Sequence, residues 1–161
     1  MHILEMQAAY GRLRGDSLRL EPGLNLIYAP NESGKSTWCS FIRTMLYGLP
    51  TRQSGPLADK NRFAPWSGAA MQGRMDILSD GRALTLQRDT RRANAPMGNF
   101  SCTYTGTGTP VEGITAQNAG EQLLGGFEVL AGHIAALRHA EADVAAHEHL
   151  EVLQEHLLGG L

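Results

Sequence analysis

Apolar and polar positions change period along this chain, and each change marks an element. Residues 2–9, His-Ile-Leu-Glu-Met-Gln-Ala-Ala, read as a first strand. Residues 10–16 are a turn-rich link, and Leu18 and Leu20 mark a short second strand over 17–20. Glu21-Pro22-Gly23 is a turn signal. Leu-Asn-Leu-Ile-Tyr at 24–28 is a brief apolar run of the kind a buried strand shows, and it leads into a glycine-containing loop. Over 35–49, Phe41, Ile42, Met45, Leu46 and Leu49 recur at three- and four-residue spacing, which predicts a helix with one apolar face.

Residues 50–73 carry no clear period. They are rich in Gly, Pro, Ser and charge, and include Ala64-Pro65-Trp66-Ser67-Gly68. A loop of that length inside a domain is functional or mobile as a rule. Strands are expected at 73–78 and 83–89 around the Ser79-Asp80-Gly81 turn, since Asp-Gly between such runs is a strong hairpin signal. A third antiparallel strand is expected at 99–105, then a turn-rich link and a short helix over 115–124 with Thr115 as its cap. From Phe127 onward the pattern is helical and alanine-rich. Leu130, Ile134, Leu137 and Val144 share a face, and Leu150, Leu153 and Leu157 continue it after a phase break. Such a run fits a core helix pair or the root of a coiled coil. The chain thus divides into a domain over 1–125 and a helical tail over 126–161.

Composition narrows the class. The 161 residues suffice for one ordinary domain, and 42% apolar content is compatible with a packed core. No run approaches the ~20 apolar residues of a membrane-spanning helix. The first residues lack the basic and apolar regions of a secretory signal. Cys39 and Cys102 are the only cysteines and offer neither a zinc spacing nor a disulfide framework. A soluble, cytoplasmic protein is expected. The net charge of −2 hides an asymmetry. Residues 1–100 carry eleven Arg and two Lys against eight acids, whereas residues 101–161 carry one Arg against eight acids. An arginine excess of this size serves nucleotide, nucleic acid or solubility alike, and does not by itself imply DNA binding.

Chemistry concentrates at Ala29-Pro30-Asn31-Glu32-Ser33-Gly34-Lys35-Ser36-Thr37. The P-loop pattern, G-x-x-x-x-G-K-[ST], follows a strand and opens a helix. In such a loop, backbone N–H groups and the helix N-terminus converge on phosphates. Gly34 lets the backbone approach closely, Lys35 sets a cation against the β- and γ-phosphates, and the Ser36 hydroxyl ligates Mg²⁺. Thr37 adds a hydroxyl toward the α-phosphate. Ala29 stands where the pattern has its first glycine, which is costly if that position needs positive φ and harmless if it only ends a strand.

These residues resemble the N-terminal part of SMC/RecF/SbcC-type ATPases, and in particular the YhaN-like AAA domains. The likeness rests on the opening strand with Tyr10-Gly11, on Gly23 to Tyr28 feeding Pro30 to Thr37, on Phe41 to Leu49, and on Asn61 to Gly68 before an antiparallel strand group. It covers residues 1–90 well and weakens toward 125. It implies an α/β fold, a P-loop NTPase with an ABC/SMC-head-like N-terminal lobe, an antiparallel side sheet and C-terminal helices. It implies ATP and Mg²⁺ as ligands, with Asn31, Ser33, Gly34, Lys35, Ser36, Thr37 and Arg62 at the nucleotide. It also implies DNA, a C-terminal ATPase lobe or a second head as partners.

Several family parts have no counterpart in the sequence. The apolar-Gln-Gly segment of a Q-loop is missing between Phe127 and Ile134. No apolar run ends in Asp-Glu, and Leu124-Gly125-Gly126 lacks the serine of a signature motif. Hydrolysis needs groups that position water and stabilise transferred charge. An ATP-binding half-head, incomplete for hydrolysis alone, is therefore the expectation. Two alternatives are a small P-loop kinase, which would need a parallel βαβ series after the helix, and a truncated non-enzymatic relic.

Other residues carry weaker signals. Arg62, with Lys60, either reaches phosphate or ribose or faces solvent. Trp66 is read as loop packing in preference to a base-stacking platform. Arg88, Arg91 and Arg92 are read as a solvated strand end in preference to a DNA contact. His139, Asp143 and His147 recur at four-residue steps, and are read as a polar helix face in preference to a metal site.

Overall fold

The computed structural model describes residues 1–124. The expected helical tail and the His139–Asp143–His147 face lie outside the described residues. The secondary structure runs β1 (His2–Tyr10), β2 (Leu13–Arg19), α1 (Lys35–Tyr47), α2 (Asp59–Arg62), β3 (Gln72–Ser79), β4 (Arg82–Asp89), β5 (Asn99–Tyr104) and α3 (Ala119–Leu124). The strands form one five-stranded sheet in the order β2-β1-β3-β4-β5, and every neighbouring pair is antiparallel.

Register explains why one face of this sheet is apolar. Met6 pairs with Met75, Met75 with Leu86, and Leu86 with Cys102. Partners in register point to the same side, so these four side chains form one row across the sheet. Ala8, Gly73, Arg88 and Phe100 make the next row. α1 covers this face with Phe41, Thr44, Met45 and Leu46, all buried. Each fully buried side chain of the Phe, Met or Leu kind contributes about 1.5–3 kcal/mol relative to exposure. The opposite face is polar. Arg74 pairs with Asp76 at 3.0 Å, and Thr85 Oγ1 donates to Asp76 at 2.6 Å. An antiparallel sheet tolerates such one-sided burial because its ladder satisfies the backbone whichever face meets water.

Local chemistry sets the ends of these elements. Asp80 and Gly81 take φ of 50° and 71°, the pair of positive values a two-residue hairpin turn requires. Gly48 stops α1 at φ 76°, and its N–H caps the Thr44 carbonyl at 2.8 Å. β2 begins at Leu13, earlier than its hydrophobic pattern implies, because the turn from β1 needs only Gly11 and Arg12. α3 starts at Ala119 rather than at Thr115. The Asn118 side chain accepts from both the Thr115 N–H and hydroxyl, so 115–118 is a turn leading into the helix.

The strand expected at 24–28 is not formed. Leu24, Leu26 and Tyr28 are 98%, 90% and 90% exposed, and no ladder includes them. Both edges of β1 are already taken, by β2 and β3. The Asn25 side chain instead bonds the Glu21 N–H and the Glu21 and Gly23 carbonyls, closing a tight turn. A short apolar run signals that a segment can be buried, but the neighbours that would bury it must come from elsewhere in the fold. The sheet beneath α1 is antiparallel throughout, and the strand expected to lead into the P-loop is absent among the described residues.

Candidate functional site

The 29–37 loop ends directly on α1. Gly34 occupies the position before the helix with φ 102°, a left-handed conformation that glycine adopts at no steric cost. Glu32 also takes positive φ, 62°, which stores of order 1 kcal/mol or more in the loop. Ala29 is not among the positive-φ residues, so the position where the P-loop pattern has its first glycine needs none in this chain. The Ser33 N–H donates to the Pro30 carbonyl at 3.2 Å and tightens the loop.

The start of α1 is a polar, uncapped end. No side chain caps it, and no acidic residue stands in its first turn. Trp38 donates to the Gly34 carbonyl at 3.0 Å, and the amides before it open the helix without an intrahelical acceptor. Amides so arranged, at the positive end of the helix dipole, favour an anion. Lys35 is folded back over the loop, its Nζ donating to the carbonyls of Ala29 and, at 3.0 Å, Pro30. Ser36 is exposed and Thr37 half-buried. Asn31 and Ser33 are exposed on the loop. This donor set, the Lys35 ammonium, the Ser33, Ser36 and Thr37 hydroxyls and the amides that open α1, fits a phosphate and its Mg²⁺, with the Glu32 carboxylate exposed on the same loop.

The base of the site is held by Tyr10. Its ring stacks on Phe63 with centroids 5.0 Å apart and meets Phe41 edge-on at 5.8 Å. Its hydroxyl shares hydrogen bonds of 3.0 Å with Ser40 and with Thr44 on α1. Burial pushes this phenol above its ordinary pKa, only partly offset by the two hydroxyl partners. Gly11 lies beside Thr37: a β-carbon there would be 3.1 Å from the Thr37 methyl. The Gly11 N–H donates to the Phe63 carbonyl at 2.7 Å, and the Trp66 N–H to the Gly11 carbonyl at 3.0 Å. The β1–β2 turn, the segment 63–66 and the start of α1 are thus one packed assembly.

The remaining candidates fall differently. Arg62 is exposed and lies over the Phe63 ring at 5.3 Å, while Lys60 Nζ donates to the Thr51 carbonyl at 2.9 Å. Trp66 anchors its loop through its backbone, but the residue is 68% exposed, with the Arg12 guanidinium 5.4 Å from the ring centroid. Arg91 and Arg92 are exposed, as a solvated strand end implies. Arg88 is not. It is 3% exposed and donates to the carbonyls of Met45, Met97 and Ala116 at 2.9, 3.3 and 2.9 Å. Its guanidinium lies 4.5 Å from the Phe100 ring centroid. Burial lowers its pKa to about 10, which still leaves it charged at neutral pH. A charged letter in a strand reads as solvated by default, and only the tertiary carbonyl cluster overrides that.

The AAA domain family model matches residues 1–98, from the first strand through the loop and α1 to the approach to β5. The chain belongs to this AAA domain family. The match supports an ATP-binding domain and includes every residue named above for the site. No curated protein matches the chain. Among the described residues, no group of three or more His, Cys, Asp or Glu could hold a metal ion, and no helix is long and apolar enough to cross a membrane.

Proposed function

We propose that this AAA domain is the ATP-binding N-terminal half-head of an SMC/RecF/SbcC-type ATPase, incomplete for hydrolysis by itself. The observation that carries the reading is the junction at Gly34–Lys35. A left-handed glycine delivers an uncapped helix start, and the next residue is a lysine whose ammonium rests on the loop's own carbonyls. Asn31, Ser33, Gly34, Lys35, Ser36 and Thr37 surround the triphosphate. The loop amides bind phosphate oxygens, Lys35 leaves its carbonyls for the β- and γ-phosphates, and Ser36 would hold Mg²⁺. When bound, Mg²⁺ neutralises charge on the phosphates. Arg62, exposed over the Phe63 ring, reaches ribose or phosphate in this reading.

The half-head reading draws on residues 24–28. Their apolar side chains lie open directly before the phosphate loop. A C-terminal ATPase lobe that supplies neighbouring strands would bury them and brace the loop. No apolar run of the sequence ends in the Asp-Glu that would orient water. A second head and DNA are the further partners of this reading. A small kinase is disfavoured, because the strands after α1 are antiparallel neighbours and not a parallel βαβ series.

Titration with a fluorescent ATP analogue and Mg²⁺ tests the site. Saturable binding by the wild type, lost in Lys35→Ala, is the expected result. Absence of binding in a protein with native circular dichroism would overturn the phosphate-site assignment. Brisk Lys35-dependent single-turnover hydrolysis by the isolated chain would overturn the incompleteness.

A further inference from the structure

The Arg12 side chain joins two places that the phosphate site alone does not connect. Its methylenes run along Gly34, where a β-carbon would meet Arg12 Cδ at 3.4 Å. Its guanidinium lies at the Trp66 indole, 5.4 Å from the centroid. Trp66 therefore stands beside the phosphate loop, one arginine side chain away from the residue that opens α1. Its backbone is fixed there by the Gly11 carbonyl, and Gly11 is itself bonded to Phe63, which stacks on the buried Tyr10. The indole is thus a large aromatic surface on an anchored backbone, in a residue that is 68% exposed.

We propose that Trp66 is the stacking platform for the nucleobase of a purine nucleoside triphosphate whose phosphates occupy the 29–37 loop. This rests on the phosphate-site reading above and adds the surface that holds the base of that nucleotide. The base lies on the open part of the indole, and Arg12 acts as a positioning residue that holds the ring by a cation–π contact. Stacking on an aromatic side chain is worth about 1–3 kcal/mol for a base, because every base has a π-face.

Calorimetric titration with MgATP and with inorganic tripolyphosphate separates the two halves of the site. The full chain is compared with Trp66→Ala and Trp66→Phe. Trp66→Ala is expected to weaken ATP by about tenfold or more while leaving tripolyphosphate within about twofold, and Trp66→Phe to retain most of the ATP affinity. Equal weakening of both ligands would show a merely structural role and overturn the proposal. Tripolyphosphate and ATP binding that is indifferent to Trp66→Ala would overturn it while leaving the phosphate site standing. Failure of the folded wild type to bind either compound would overturn the phosphate site and this platform together.

Discussion

The Phe41 ring of α1 lies directly on Gly73 of β3, so closely that the sheet has no room for a β-carbon at that position. Met45 Sδ would come within 3.3 Å of the same β-carbon. The helix that begins at the candidate phosphate loop is therefore seated on bare backbone. Its height over the sheet is set by a glycine whose identity has nothing to do with turn formation.

Gly73→Ala is accordingly expected to destabilise the domain by about 1–3 kcal/mol, the usual cost of overpacking. Chemical denaturation would show a lower midpoint with little change in slope. The substitution should also weaken nucleotide binding, because the start of α1 shifts with its seat. An unchanged midpoint would mean that the contact is slack.

Tyr10→Phe keeps both ring contacts and removes the hydroxyl that Ser40 and Thr44 share. Loss of a buried hydrogen-bonded pair of this kind is expected to cost about 1–2 kcal/mol. Thermal unfolding of the variant measures it. A cost near zero would indicate that water or rearranged hydroxyls replace the phenol.

Arg88→Met removes the donor from three carbonyls and is expected to cost roughly 2–4 kcal/mol, despite the better hydrophobicity of Met. In the wild type, burial lowers the guanidinium value from 12.5 to about 10. A base whose folded pKa is depressed binds a proton less readily when folded, so stability rises only as pH climbs through about 10, and is flat in pH below that. Arg88→Lys brings a group with a lower intrinsic pKa into the same desolvated place. Its stability should climb with pH at lower pH than the wild type's does. Melting temperatures recorded from pH 6 to pH 10 distinguish the two profiles.

Leu24→Ser with Leu26→Ser should leave the stability of this domain within about 0.5 kcal/mol, since both side chains are almost fully exposed. If the same pair of changes lowers the melting temperature by several degrees, residues 24–28 are buried in solution and the segment pairs after all.

The elements that sequence pattern revealed are those governed by local rules. Asp80-Gly81 dictated its hairpin, and the spacing of Phe41, Met45 and Leu46 dictated a one-faced helix with Lys35 at its head. The misread positions are those whose state depends on distant neighbours. An apolar run at 24–28 has the letters of a strand, but strand formation needs a free edge beside it, and β1 has none. Arg88 has the letter of a surface residue, but the carbonyls that receive it come from α1, the 90–98 connection and the approach to α3. Gly73 was legible only as a strand boundary, because the ring that needs it is thirty-two residues away in sequence.

The order of strands carries a consequence for how the site comes into being. Three of the four strand pairings join consecutive strands, and β1 with β3 is the one that does not. The chain between those two strands includes the phosphate loop and the whole of α1. Closing so long a loop is the entropically expensive step in assembling this sheet, and everything within it gains its seat only when that closure is made. A ligand that the 29–37 loop binds only in the folded domain would favour that closure by mass action.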